Sequence, residues 1–243
     1  MGIGDPTPDG WRGFAPLLGA AFPDYHNFAF PGARIACVRT QQLPQALATN
    51  PDAAIVLAGM NDTLRSDFNP TQLHHDLDHI ITELRSTGAA IVTVRFHDHS
   101  RVFHLPGPLR RALSARIASI NEVMDTVTTR HDIACVDLDQ LPAAYHPSTW
   151  SVDRLHPSEL GHRRLAAAFA TILGTPPISL ECSGGKKITP FHHAAWLMAK
   201  GIPWLWHRSR DLLPMVARIM LKDPDLDRSD RTAHPDGATL GDG

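Results

Sequence analysis

The 243-residue chain is 43% hydrophobic, with 23 Lys and Arg against 25 Asp and Glu. That is enough apolar content for one sizeable core, and the balanced charge without a Lys/Arg run argues against nucleic acid as a partner. The three cysteines (Cys37, Cys135 and Cys182) are far apart and form no CxxC pair, which suits a reducing compartment better than a disulfide framework.

Taken in chain order, Trp11–Phe22 reads as a first helix, and "NFAF" (27–30) as the first strand. A helix over Ile35–Ala48 follows, then a strand, "AAIVLA" (53–58). The next helix, Thr71–Ser86, has Leu73, Leu77, Ile80, Ile81 and Leu84 near a 3.6-residue period and stops at Gly88. "AAIVTVRF" (89–96) is a strand, Leu109–Thr129 a helix, "IACVDL" (133–138) a strand, and Pro157–Leu173 the last helix of the unit. The strands are nearly continuously apolar, as strands covered on both faces are. Their alternation with helices predicts an α/β fold with a parallel sheet between helical layers.

Beyond Gly174-Thr175-Pro176-Pro177 the character changes. We read residues 1–174 as one domain, 175–222 as a helical C-terminal extension rich in Trp, and 223–243 as a disordered acidic tail. For 191–221 we favour packing against the domain's own surface over an interfacial membrane helix or a partner-docking helix. The sequence has no signal-peptide core or 18-residue apolar span, so the expected location is cytoplasmic, with a leader upstream of Met1 the exception. The high Arg and Ala usage suggests a bacterial source. Oligomeric state is not legible.

In such a sheet, sites form at the carboxyl ends of the strands. The residues found there are Pro31-Gly32-Ala33, then Gly59-Met60-Asn61-Asp62, and, in a long loop, Asp153-Arg154-Leu155-His156-Pro157. Taken singly, each is ordinary turn or cap chemistry. Together they suggest more. An Asp three residues before a His can hold the imidazole Nδ1–H, leaving Nε2 to take a proton from a hydroxyl nucleophile. The Gly32 N–H and the Asn61 amide are candidates to receive a developing oxyanion.

These motifs, "NFAFPGARI", "AGMNDTL" and "VDRLHPSELGHRRLA", resemble those of the SGNH (GDSL-type) hydrolases over roughly residues 2–173. The resemblance implies a flavodoxin-like three-layer α/β/α sandwich and metal-free, cofactor-free hydrolysis of a small-molecule ester or acyl substrate. It implies His156 and Asp153 as catalytic residues, and Gly32 and Asn61 as the oxyanion hole. Acyl transfer would use the same groups.

One block of the pattern is missing: the chain has no Gly-Asp-Ser. Gly4-Asp5-Pro6 has Pro where the hydroxyl belongs, and only three residues precede Gly4, whereas a strand wants about five or six. We therefore expect the serine and the first, central strand upstream of Met1, and no nucleophile in this chain. Losing about five buried apolar residues would forfeit on the order of 8–15 kcal/mol, comparable to the net stability of a domain. Ser151, Ser100 and Thr7 are poor substitutes, none sitting on a strand–nucleophile–helix elbow. The alternative is a non-catalytic pseudoenzyme or ligand-binding protein on the same scaffold.

Fifteen histidines also invite a metal reading, with His75 and His79 one helical turn apart and "HDHS" (97–100) near His104. No HExxH spacing supports it. We expect the helix pair to be solvated; for the 97–104 loop, which follows a strand, a substrate contact at the rim of the site is the minor alternative. "DLD" (137–139) is read as turn chemistry.

Overall fold

The computed structural model describes residues 5–7, 10–102 and 105–182. A short antiparallel hairpin, β1 (Asp5–Thr7) with β2 (Gly10–Arg12), leads into helix α1 (Phe14–Gly19). The next helical run has three parts. These are α2 (Ile35–Cys37), a π-helical turn (Val38–Gln42) and α3 (Leu43–Ala48). Then come β3 (Ala53–Val56), the single turn α4 (Met60–Thr63), α5 (Pro70–Ser86), β4 (Ala90–Arg95), α6 (Gly107–His131), β5 (Ala134–Asp137) and α7 (Glu159–Leu173).

Strands β3, β4 and β5 form one parallel sheet in that order, with β4 in the middle. Ile91, Val92, Thr93 and Val94 are all buried, which explains why β4 reads as an unbroken apolar run rather than an alternating one. Helices α5 and α6 pack on each other and on β4, while α7 packs on β5 and α1. On α5 the predicted stripe is the buried one: Leu73, Leu77, Ile80, Ile81 and Leu84. Its start is set by Asn69, whose side chain accepts the Gln72 amide at 3.2 Å, and by Pro70 in the first turn. On α7, Ser158 caps the helix by accepting the Gly161 amide, and Phe169 packs on Phe14 of α1 with ring centroids 5.3 Å apart. The α/β architecture with a parallel sheet is therefore as predicted.

Two readings are corrected. Residues 27–30 are not a strand: they run extended and largely exposed, with no strand paired to them among the described residues. The local reason is that the Ala29 amide is taken by the Asn27 side chain at 3.1 Å, and the Ala33 amide turns back onto the Phe30 carbonyl at 3.3 Å. Side-chain bonds of this kind compete with a sheet ladder. The first helix starts at Phe14 rather than Trp11, because residues 10–12 pair with 5–7 instead. Residues 175–182 of the extension are described and carry no helix, whereas the rest of it, with the Trp-rich stretch at 191–221, and the tail from 223 lie outside the described residues, as does His104. Among the described residues no helix is long and apolar enough to cross a membrane.

Candidate functional site

The candidate side chains lie on the turn after β3 and on the long loop after β5, at the carboxyl end of the sheet. After β3, Gly59 has φ +122°, and a Cβ there would meet Ile120 and Phe96 at 3.2–3.3 Å. Glycine therefore lets the chain turn against the core and begin α4 one residue later. Asn61 and Asp62 then point in different directions. Asp62 is fully buried and accepts the Ile35 amide at 3.1 Å and Arg34 Nε at 3.1 Å. Burial raises its pKa despite those donors. Asn61 is exposed and donates one amide N–H to the Ala33 carbonyl at 2.9 Å.

These contacts tie the turn after β3 to the loop that carries Gly32. Gly32 has φ +76° and open space where a Cβ would project, so its backbone can be approached closely. The structure thus brings Gly32 and Asn61 together through Ala33. The side-chain amide nitrogen of Asn carries two N–H donors, and the second of Asn61 remains for an acceptor. The sequence reading took the Asp62 position for a cap or turn and missed its clamping role. The signal was a carboxylate directly after Gly-x-Asn, beside an Arg-Ile pair that has a backbone donor to satisfy.

After β5 the chain follows a long, well-braced loop. Asp139 takes part in a turn, its amide bonded to Asp137 Oδ1 at 2.9 Å, as expected of "DLD". Trp150 bridges to Pro157, the Ser151 amide reaches the His156 carbonyl at 2.8 Å, and the Ser158 amide reaches the Thr149 carbonyl at 2.9 Å. Within this frame His156 Nδ1 lies 2.7 Å from Asp153 Oδ2. Asp153 Oδ1 also accepts the amides of Leu155 (2.9 Å) and His156 (3.0 Å) and the Ser151 hydroxyl. Burial would push the Asp153 carboxyl up, but the hydrogen bonds from His156, its amide and Ser151 outweigh it and hold the group far below the ordinary carboxylate range. Asp153 is 16% exposed and His156 54%. The geometry therefore offers an ionised, fixed carboxylate behind an imidazole whose far edge faces solvent, as the spacing predicts.

Two of the discounted hydroxyls are now placed. Ser151 donates to Asp153 rather than facing the imidazole, and Ser100 is 1% exposed. After β4, the loop turns inward rather than toward the rim: His97 and His99 are each 3% exposed and pack against Trp150. His75 is exposed and His79 half-buried on α5. Among the described residues no three His, Cys, Asp or Glu side chains converge as a metal site.

Comparison with known proteins bears on the family and the fold. The sequence profile of the GDSL-like lipase/acylhydrolase family matches residues 2–164. No curated protein sequence matches. Among solved structures, the acetyl xylan esterase AlAXEase superposes with a TM-score of 0.54 at 12% identity, over 66% of this chain and 90% of that one. The lipase/acylhydrolase from Enterococcus faecalis gives 0.53 at 19%, over 68% and 88%. The acetylxylan esterase Axe2 from Geobacillus stearothermophilus gives 0.53 at 19%, over 74% and 87%. Matching structures of Axe2 include two catalytic mutants, one replacing a serine and one a histidine by alanine. At these identities the structural likeness speaks to the fold.

Proposed function

The chain belongs to the GDSL-like lipase/acylhydrolase family, and on that premise we propose that it serves hydrolysis of an ester or acyl bond by a Ser/His/Asp mechanism. The carrying observation is the 2.7 Å bond from His156 Nδ1 to an ionised, braced Asp153, with the imidazole half exposed.

A serine hydroxyl attacks the substrate carbonyl carbon while His156 Nε2 takes its proton. Asp153 holds Nδ1–H and stabilises the imidazolium. The carbonyl oxygen, now negative, is received by the Gly32 N–H and the second N–H of Asn61. Collapse of the tetrahedral intermediate expels the alcohol, which takes the proton from His156. Water then repeats the cycle on the acyl-enzyme, the proton again passing through His156. Another acceptor in place of water would make the same groups an acyltransferase.

We place the serine on a Gly-Asp-Ser turn upstream of Met1, after a strand lying along the outer edge of β3. That edge has no paired strand among the described residues, and the Axe2 catalytic mutants replace a serine and a histidine. The test is a protein extended upstream through that turn. It should hydrolyse p-nitrophenyl acetate and be labelled by a serine-directed phosphonate, and His156→Ala should lower kcat/KM by about 10³–10⁴-fold. Unchanged turnover in His156→Ala refutes the assignment. Ligand-induced stabilisation without turnover in the extended protein would identify a ligand-binding scaffold instead.

A further inference from the structure

The mechanism above leaves unused the pair of imidazoles buried after β4. Asn121 on α6 brackets the end of that strand, accepting the Phe96 amide and donating to the Phe96 carbonyl, both at 2.8 Å. From this fixed point the chain carries His97 and His99 inward. His97 Nε2 lies 2.8 Å from His99 Nδ1, and His99 Nε2 lies 3.0 Å from the carbonyl oxygen of Arg154. Both rings pack on Trp150, with centroids 4.8 Å away in each case. The Trp150 indole is itself anchored to the Ala144 carbonyl at 2.9 Å.

The proton positions follow from chemistry. A carbonyl only accepts, so His99 Nε2 bears hydrogen. A neutral His99 then presents a lone pair at Nδ1, and His97 Nε2–H must donate to it. The chain of bonds therefore runs one way, from His97 through His99 to Arg154.

Arg154 sits between Asp153 and His156 with φ +58°, a left-handed conformation that costs a non-glycine residue of order 1–3 kcal/mol unless its surroundings hold it. Its carbonyl shares a rigid peptide plane with the Leu155 amide, and that amide donates to Asp153 Oδ1 at 2.9 Å. The same plane is thus held at one end by His99 and at the other by Asp153. If it rotates, Asp153 Oδ1 keeps only the His156 amide and the Ser151 hydroxyl, and the aim of its other oxygen at His156 loosens. An apolar side chain at position 99 would fill the space at lower desolvation cost but supply no donor.

We propose that His97 and His99 are positioning residues for the His156–Asp153 pair, a buried two-imidazole chain that sets the Arg154–Leu155 peptide plane and through it the aim of the Asp153 carboxylate. This rests on the Ser/His/Asp reading above.

The test uses the chain as it stands and measures the ratio of Nδ1–H to Nε2–H tautomers of His156 at alkaline pH, from two-bond 1H–15N correlations assigned with His156→Ala. Asp153→Asn is the control for the underlying pair. If it leaves the ratio unmoved, the His156–Asp153 reading itself fails. With that control positive, His99→Leu should lower the ratio about tenfold, the equivalent of one lost hydrogen bond. His99→Gln, which restores a donor, should recover most of it. An unchanged ratio in His99→Leu, or equal effects of Leu and Gln, overturns the proposal. If His99→Leu does not fold, His97→Phe, which keeps the ring stacking but removes the donor to His99, reads the same quantity. An unchanged ratio there overturns the proposal equally.

Discussion

Lowering the pH from 7 to 5 should cost this protein several kcal/mol of folding stability, and the cause is three buried neutral histidines. Burial pushes His97 and His162 down to about 4 and His99 to about 3, from the ordinary 6.5. At pH 7 neither state binds much proton at these sites, so their burial carries no linkage penalty. As pH falls below 6.5 the unfolded chain takes up a proton at each site while the native state does not, so stability falls until the folded pKa values are reached. At pH 5 the unfolded state is favoured by about 2 kcal/mol for each histidine, or about 6 kcal/mol for three. This value depends mainly on the unfolded pKa, so a folded pKa one unit higher would lower it only slightly. Against a typical net stability of about 5–15 kcal/mol, the drop is large. Urea unfolding followed by far-UV circular dichroism at pH 7 and pH 5 measures it. The drop in His99→Gln should be smaller than wild type by about 2 kcal/mol, whatever that substitution does at pH 7. A wild-type drop below about 1 kcal/mol, or an identical drop in the variant, would refute the neutral, buried assignment.

Other expectations follow from single contacts. A Cβ at Gly161 would sit 2.3 Å from the Thr149 carbonyl oxygen and 2.8 Å from Pro157, so Gly161→Ala should destabilise by about 1–3 kcal/mol and loosen the His156 loop, read by urea midpoint and by the His156 tautomer ratio. Asn121→Ala strands the Phe96 N–H and C=O inside the core and should cost about 2–5 kcal/mol in the same unfolding assay. Burial lifts the Cys135 thiol to about 11, whereas Cys182 is exposed. Iodoacetamide at pH 8 should therefore modify Cys182 well before Cys135, as peptide mass mapping would show.

The legible parts of this fold were those whose physics is local. The α5 stripe, the buried run of β4 and the Asp153–His156 spacing each reduce to a period or a turn that the sequence displays. "NFAF" was misread because a strand is defined by its neighbour as much as by its side chains, and Asn27 offers the Ala29 amide a nearer partner. The inward turn of His97 and His99 was equally invisible. "HDHS" looks polar, and nothing in four residues announces that Tyr145 and Trp150, from a loop after the next strand, will enclose it. The clamping role of Asp62 is hidden in the sequence because its partners Arg34 and Ile35 lie in a different loop.

The π-helical turn at Val38–Gln42 bears on how this family can change length. Ile35 and Leu43 are both buried, yet residues eight apart lie about 80° from each other around a regular α-helix, whereas residues seven apart share a face. The wider turn absorbs one surplus residue and restores the shared face. A relative lacking one residue between 38 and 42 would run a regular helix here with the same two positions facing the core. Single-residue insertions and deletions in this helix should therefore concentrate at that turn, and an alignment that places the gap in a flanking loop instead would misassign Ile35 and with it the loop that carries Gly32.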